Sequence, residues 1–237
     1  MWFVNNRVRL DETDIFKGFT DWHSHILPDV DDGIATIQES LQVLKEYEKM
    51  GVRKVWLTPH IMEDIPNSTE RLRTRFEILK ESWTGEVEIA LSSENMLDNI
   101  FEQRLKDKDL LPIGENRNHI LIETSYFSPP FGMMQRIESI KETGLIPILA
   151  HPERYVYMNS DNYNKLRDKG IKFQINLFSF TGHYGEQAKK KSEWLAEQGM
   201  IDYVGSDIHR FSTLQSELRV KVSRKSLKLL EKVISDL

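Results

Sequence analysis

The chain contains no cysteine, which excludes a disulfide framework, a thiolate nucleophile and any cysteine-based metal site. Long apolar runs are missing too, and nothing approaches a membrane span. The opening stretch "MWFVNNRVRLDETD" turns polar after four residues and lacks the apolar core of a secretory signal. A cytoplasmic protein with no direct membrane insertion is expected. Positive charge is not in excess: 32 Lys and Arg stand against 37 Asp and Glu, a net charge of -5. There is thus no electrostatic reason to expect nucleic-acid binding. Low-complexity segments, long linkers and close internal repeats are absent. Histidine is scarce, with seven in 237 residues.

What is present has a strand–helix rhythm. Apolar content of 39% and charged content of 29% are those of a globular protein. Short apolar or β-branched runs at 18–25, 52–60, 87–95, 119–126, 146–155, 172–180 and 202–209 read as seven buried strands. Amphipathic stretches at 36–50, 69–83, 131–143, 161–169 and 186–198 read as helices between them. Gly51, Gly144, Gly170 and Gly199 stand where helices end. This alternation implies a parallel sheet. With no Gly-rich nucleotide-binding turn, a closed barrel is favoured over a doubly wound sheet. Residues 1–15 are expected to be an N-terminal leader, and 16–237 a single barrel domain. The amphipathic end, "SLKLLEKVISDL" (226–237), is expected to dock on its own barrel rather than a neighbour; the oligomeric state is left open.

The scarce histidines are not scattered. Six of the seven expected strands finish in metal-binding residue types: His23 and His25, His60, Glu94, Glu123, His151, and Asp207 with His209. The sixth offers only Gln174 and Asn176, which are weak ligands. In a parallel barrel the carboxyl ends of all strands converge on one face, where active sites form. His23 and His25 are two apart on a strand, so both point the same way. Singly, each of these residues has an ordinary structural use. Jointly, five of seven histidines on one face point to a metal site. Imidazole and carboxylate suit Zn, Mn or Fe(II), and the set exceeds what one ion needs, so two or three divalent ions are expected. His119 and His183 are expected to be surface or structural.

Such a site can lower the pKa of a bridging water towards ~7 and clamp both ends of an in-line displacement. Phosphoester hydrolysis is the matching chemistry. A transferred phosphoryl group also needs fixed positive charge. Arg154, three residues after His151 in "HPERY", is the leading supplier and Arg210 the second. Asp207 or His209 is the candidate acid for the leaving group. The loop "YFSPPFGMM" (126–134) offers an aromatic rim for an aromatic leaving group or a lid packing on the next helix.

"DWHSHILPDVDDG", "TPH", "LIE", "AHPERY" and "GSDIH", in this order from about residue 16 to 211, resemble the polymerase-and-histidinol-phosphatase (PHP) superfamily. More narrowly they resemble its bacterial CpsB/CapC-type tyrosine-phosphatase branch, tied to capsular and exopolysaccharide synthesis. The resemblance implies an α/β fold, a distorted (β/α)7 TIM-like barrel, and a trinuclear, often manganese-dependent site with Fe or Zn as alternatives. It implies His23, His25, Glu94 and Asp207 around one ion, and Glu94, Glu123 and His151 around a second. His60, His209 and Asp32, with Asp31 as the other choice, would hold the third. Arg154 matches the family's phosphate-binding arginine. Some relatives carry another arginine several residues beyond the "SDxH" motif; here 210–216 reads "RFSTLQS", so Arg210 would have to substitute. The implied activity is a metal-dependent phosphotyrosine-protein phosphatase acting on a cytoplasmic bacterial tyrosine kinase. A small-molecule phosphatase, such as one for histidinol phosphate, is the alternative. A non-catalytic module with metals bracing the barrel is the third reading.

Overall fold

The computed structural model describes residues 7–237; the first six residues of the expected leader lie outside the described residues. In chain order, β1 (Arg7–Arg9) leads to β2 (Thr20–Ser24), α1 (Ile37–Met50), β3 (Lys54–Leu57), β4 (His60–Ile61) and α2 (Thr69–Ser82). Then come β5 (Glu88–Leu91), β6 (Glu94–Met96), α3 (Phe101–Asp107), β7 (His119–Glu123), α4 (Met133–Glu142) and β8 (Ile146–Ala150). The remainder is α5 (Ser160–Asp168), β9 (Lys172–Asn176), α6 (Glu186–Glu197), β10 (Tyr203–Gly205), α7 (Phe211–Leu218), β11 (Lys221–Ser223) and α8 (Arg224–Ser235).

The central strands are apolar because both faces are covered, as a parallel sheet between helices requires. All four residues of β3 and the last four of β7, β8 and β9 are buried. Strands β2, β3 and β5 pair in that order, and β4, β6, β7, β8, β9 and β10 form a second parallel run. The two runs are one curled surface, because β3 continues into β4 and β5 into β6. The sequence suggests one unbroken strand at each of these places. Pro59 lacks the N–H that would continue β3. Its carbonyl instead accepts from Glu94 N (3.1 Å), and the ladder resumes one step on. The ends of β10 and β2 also meet: His25 N donates to Ile208 O (3.0 Å) and Asp207 N to His23 O (2.7 Å).

Helix boundaries follow local chemistry. The Thr36 hydroxyl caps α1 by accepting from Glu39 N, and Gly51 ends the helix at φ 82°. Helices α3 and α7 add to those expected; at seven and eight residues each spans only about two turns, too short to stand out in the sequence. The strand expected at 146–155 stops at Ala150, because His151 turns into left-handed backbone. The leader is partly built in: β1 pairs antiparallel with β11, and Leu10 is wholly buried. Helix α8 buries Leu227, Leu230 and Val233 and bonds Ser226 Oγ to Glu193 of α6 (2.6 Å). It therefore lies on its own chain. Among the described residues, no helix is long and apolar enough to cross a membrane.

Beneath the strand ends sits a separate apolar cluster of Trp56, Ala90, Ile113, Leu121, Ile148 and Ala150, flanked by Trp22 and Tyr203. Leu121 lies two residues before Glu123 on the same face, so this cluster floors the region into which Glu123 points. The curl is drawn tight where β10 crosses β2. A Cβ on Gly205 would lie 2.4 Å from His23 Cβ and 2.6 Å from its backbone nitrogen. Nearby, the buried Asp21 carboxylate accepts from Tyr47 Oη (2.7 Å), Ser206 Oγ (2.6 Å) and Ser206 N (2.8 Å), tying α1, β2 and β10 together. Gly205→Ala is therefore expected to push the two strands apart and destabilise the fold by about 1–3 kcal/mol, measured by chemical denaturation. Unchanged stability would show that the strands have room to spare.

Candidate metal centre

Each strand end delivers its residue to one cup. The hub is Glu94 at the start of β6, with no exposed surface. Four imidazole nitrogens surround its carboxylate: His151 Nε2 at 2.8 Å, His23 Nε2 at 3.1 Å, His60 Nδ1 at 3.2 Å and His25 Nε2 at 3.3 Å. Glu123, ending β7, places Oε1 3.0 Å from His60 Nδ1. Asp207 Oδ1 lies 3.5 Å from His25 Nε2 and 3.7 Å from His23 Nε2. Asp32 Oδ1 stands 3.5 Å from both His60 Nε2 and His209 Nε2 at the mouth. All nine residues that the sequence nominates as ligands are thus brought together.

Ligand-type atoms converge in four overlapping groups: His23, His25 and Asp207; His23, Glu94 and His151; His60, Glu94 and Glu123; and His25, Asp32, His60 and His209. Glu94 belongs to two of them. The ring orientations are fixed from behind. His23 Nδ1 faces Gln174 Oε1 (2.8 Å), His25 Nδ1 faces Asp31 Oδ2 (2.8 Å), and His209 Nδ1 faces the Asp207 carbonyl (2.9 Å). With hydrogens on Nδ1, three Nε2 lone pairs point into the cup. His23 Nε2 and His25 Nε2 are only 3.1 Å apart, an arrangement that asks for a cation between or beside them.

Two further observations test whether a metal fits. His60 Nδ1 and Glu123 Oε1 are buried and make no hydrogen bond, although they face each other. Buried polar atoms are nearly always satisfied, so these two are ligand atoms in want of a partner. The electrostatics agree. Burial alone would push the His23 imidazole down, yet Glu94 and Asp207 outweigh it and raise it to about 9. Burial would push the Glu94 carboxyl up, but His23, His60 and His151 hold it well below the usual carboxylate range. A cup that draws protons so strongly draws divalent cations for the same reason. The donor set fits a hard-to-borderline ion.

The two aspartates of "DVDDG" divide the work. Asp31 is turned inward, accepting from His25 Nδ1, Gly33 N (2.9 Å) and His60 N (3.0 Å), whereas Asp32 faces His60 and His209. Arg154 follows His151 on the short turn Pro152–Arg154. Its guanidinium lies between the rings of Tyr126 (4.4 Å) and Tyr184 (4.2 Å) and donates to Asp207 Oδ2 (2.7 Å). Glu153 points away, accepting from Asn176 N (2.9 Å) and Ser179 Oγ (2.6 Å). Arg210 is placed differently from its expected phosphate-binding role. Its Nη1 donates to the carbonyls of Asp32 (2.6 Å), Gly33 and His209 (2.7 Å), strapping the "DVDDG" loop to the end of β10.

The "YFSPPFGMM" loop splits three ways. Tyr126 enters the site, Met133 is buried in the core, and Phe127 and Phe131 stand 78% and 98% exposed. His119 contacts Tyr203 Oη (3.3 Å), and His183 bonds Glu217 (2.9 Å) and packs against Tyr184, lining one cavity with Arg154, Asp207 and His209 without joining the ligand groups. Tyr184 escapes sequence reasoning because it lies in a loop without periodic signal. Its flanking glycines, Gly182 and Gly185, both with positive φ, are the only hint.

Comparison with known proteins bears on this geometry. A family model described as capsular polysaccharide synthesis, CpsB/CapC, matches residues 19–235. The tyrosine-protein phosphatase YwqE of Bacillus subtilis is 30% identical over 199 residues, covering 81% of this chain and 78% of the relative. The tyrosine-protein phosphatase CpsB of Streptococcus pneumoniae is 29% identical over 205 residues, covering 81% and 84%. Crystal structures of YwqE from B. subtilis and CpsB from S. pneumoniae, described as unique metal-dependent tyrosine phosphatases, include a chain that superposes with a TM-score of 0.76. That match has 29% identity and covers 90% of this chain and 87% of the other. With nearly its whole length matched, the chain belongs to the CpsB/CapC capsular polysaccharide synthesis family.

Proposed function

We propose that this protein is a metal-dependent phosphotyrosine-protein phosphatase. The observation that carries the reading is the convergence of nine ligand-type side chains on a buried cup with the Arg154 guanidinium at its edge. We take the curled sheet as a distorted (β/α)7 barrel over 16–237, with residues 7–15 of the leader packed onto it. Two or three divalent ions, manganese first, would be held by His23, His25, Asp32, His60, Glu94, Glu123, His151, Asp207 and His209. Glu94 would be shared, because its carboxylate belongs to two groups. When bound, the ions supply Lewis acidity towards water and towards phosphoryl oxygens.

The remaining roles fall to the chain's own groups. Arg154 is charged and held by two aromatic faces, and spends Nη1 on Asp207. Its other N–H groups are available to phosphoryl oxygens as a planar fork. Asp207 Oδ2 accepts from Arg154, Asn176 and Tyr184, and the neighbouring histidines and Arg154 hold the carboxyl ionised against burial. It is therefore no proton donor. His209 has Nδ1 facing the Asp207 carbonyl and Nε2 facing Asp32, so as a metal-holding group it has no spare proton for the departing oxygen either. Arg210 acts as a positioning residue for the Asp32 loop. Seven of the nine ligand-type residues are buried and only Asp32 and His209 reach the surface, which favours a phosphate carried on a long arm, as in phosphotyrosine. The family's link to capsule synthesis supports a bacterial tyrosine kinase of that system as the substrate.

Manganese-loaded protein is expected to hydrolyse aryl phosphates and phosphotyrosine peptides, and to prefer the peptide to histidinol phosphate. Chelator, or His151→Ala, should reduce turnover to background. An inactive protein whose metal site is shown to be occupied would sink the reading. Arg154→Ala should lower kcat/KM by about 10²–10³-fold, the loss typical of one preorganised charge-stabilising donor. An unchanged kcat/KM would remove Arg154 from the phosphate site.

A further inference from the structure

Strand β9 supplies no charged ligand, yet its two inward side chains touch three of the residues that would hold metal. We infer that Gln174 and Asn176 form a directional hydrogen-bond relay that fixes the His23 tautomer at one end and the Asp207 carboxylate at the other. They are positioning residues for the centre, and the inference rests on the metal-dependent reading above.

Gln174 and Asn176 are two apart, face the same side of β9 and have no exposed surface. Their order of contacts runs from His23 Nδ1 to Gln174 Oε1 (2.8 Å), from Gln174 Nε2 to Asn176 Oδ1 (3.0 Å), and from Asn176 Nδ2 to Asp207 Oδ2 (2.7 Å). Amide oxygen and nitrogen are distinguished only by their partners, and here both ends have fixed polarity. The backbone N–H of His151, which can only donate, lies 3.3 Å from the same Gln174 atom. That atom must be the oxygen, so His23 carries its hydrogen on Nδ1 and leaves Nε2 bare. At the other end, Asp207 Oδ2 already accepts from Arg154 and Tyr184 (3.2 Å). An ionised carboxylate only accepts, so the Asn176 atom facing it must be the NH2 group. The two anchors demand the same direction, and flipping either amide breaks the chain at two points.

The relay has a geometric consequence. Three donors on Oδ2 turn Oδ1 of Asp207 towards the His23 and His25 Nε2 atoms. One strand thereby presents a bare nitrogen and a free oxygen to the same point. Glu153 steadies the relay from behind, since its Oε1 accepts from Asn176 N and Ser179 Oγ.

The test uses the full chain, with manganese titrated calorimetrically and His23 followed by 15N NMR in metal-free samples at a pH well above 9, where the ring carries a single hydrogen. Gln174→Leu and Asn176→Leu should each weaken manganese binding about 10–100-fold, the usual effect of losing a group that orients a ligand. In wild type and in Gln174→Glu, whose carboxylate still accepts from His23, the His23 resonances should report the Nδ1–H tautomer; in Gln174→Leu they should not. Wild-type affinity in both leucine variants, or an Nε2–H tautomer in the wild type, would overturn the relay. Wild-type protein that binds no manganese would overturn the metal-dependent reading instead, while the tautomer measurement still decides the relay. Should a leucine variant fail to fold, the near-isosteric Gln174→Glu and the wild type carry the decision.

Discussion

The Glu94 carboxylate, sealed from solvent with four imidazole nitrogens within 3.3 Å, is the constraint around which the structure is arranged. An isolated buried carboxylate costs several kcal/mol, and burial is tolerable only with opposite charge and well-placed donors around it. His23 and His60 lie on β2 and β4, while His25 and His151 directly follow β2 and β8. The sheet must curl for them to meet. Three of the five histidines at the site also have Nδ1 committed to an acceptor behind them. The Nε2 lone pairs of His23 and His25 therefore face Glu94 and each other, and that of His209 faces Asp32; divalent cations would balance that gathering of acceptors.

Supporting features serve the same convergence. His151 and Asp207 both adopt left-handed backbone, at φ 33° and 54°, a conformation costing about 1–3 kcal/mol for a residue with a side chain. Each stands where a strand ends and its side chain must turn into the cup. Gly205 lets β10 pass against His23, and the Asp21 network with Ser206 and Tyr47 holds that crossing closed. Arg210 binds the Asp32 loop through backbone carbonyls, while Arg154 alone keeps donors directed at the cup. The two arginines differ because one is clasped between aromatic rings and the other is used up on main chain.

Much of this was legible in the sequence, for a physical reason. Parallel strands buried on both faces need continuous apolar runs, and their carboxyl ends must share one face, so His23, His60, Glu94, Glu123, His151 and Asp207 could be grouped without coordinates. Partners that act from behind leave no such trace. Gln174 and Asn176 look like poor ligands until their hydrogen bonds are seen, and Tyr184 sits in an aperiodic loop. Asp31 and Asp32 are adjacent and chemically identical, so only the fold separates the one that orients His25 from the one that faces His60. The breaks at Pro59 and Ser92–Ser93 were also missed, since the strands beyond them, His60–Ile61 and Glu94–Met96, are too short to show a pattern of their own.

The central claim is that the cup balances its convergent acceptors with more than one divalent cation. Elemental analysis of manganese-reconstituted protein, after removal of free metal, tests it most directly. Two or three ions per chain are predicted, and replacement of Glu94 by Gln should lose more than one of them because its carboxylate belongs to two of the candidate groups. One ion or none in the wild type, or a Glu94→Gln variant that retains the full complement, would contradict the account.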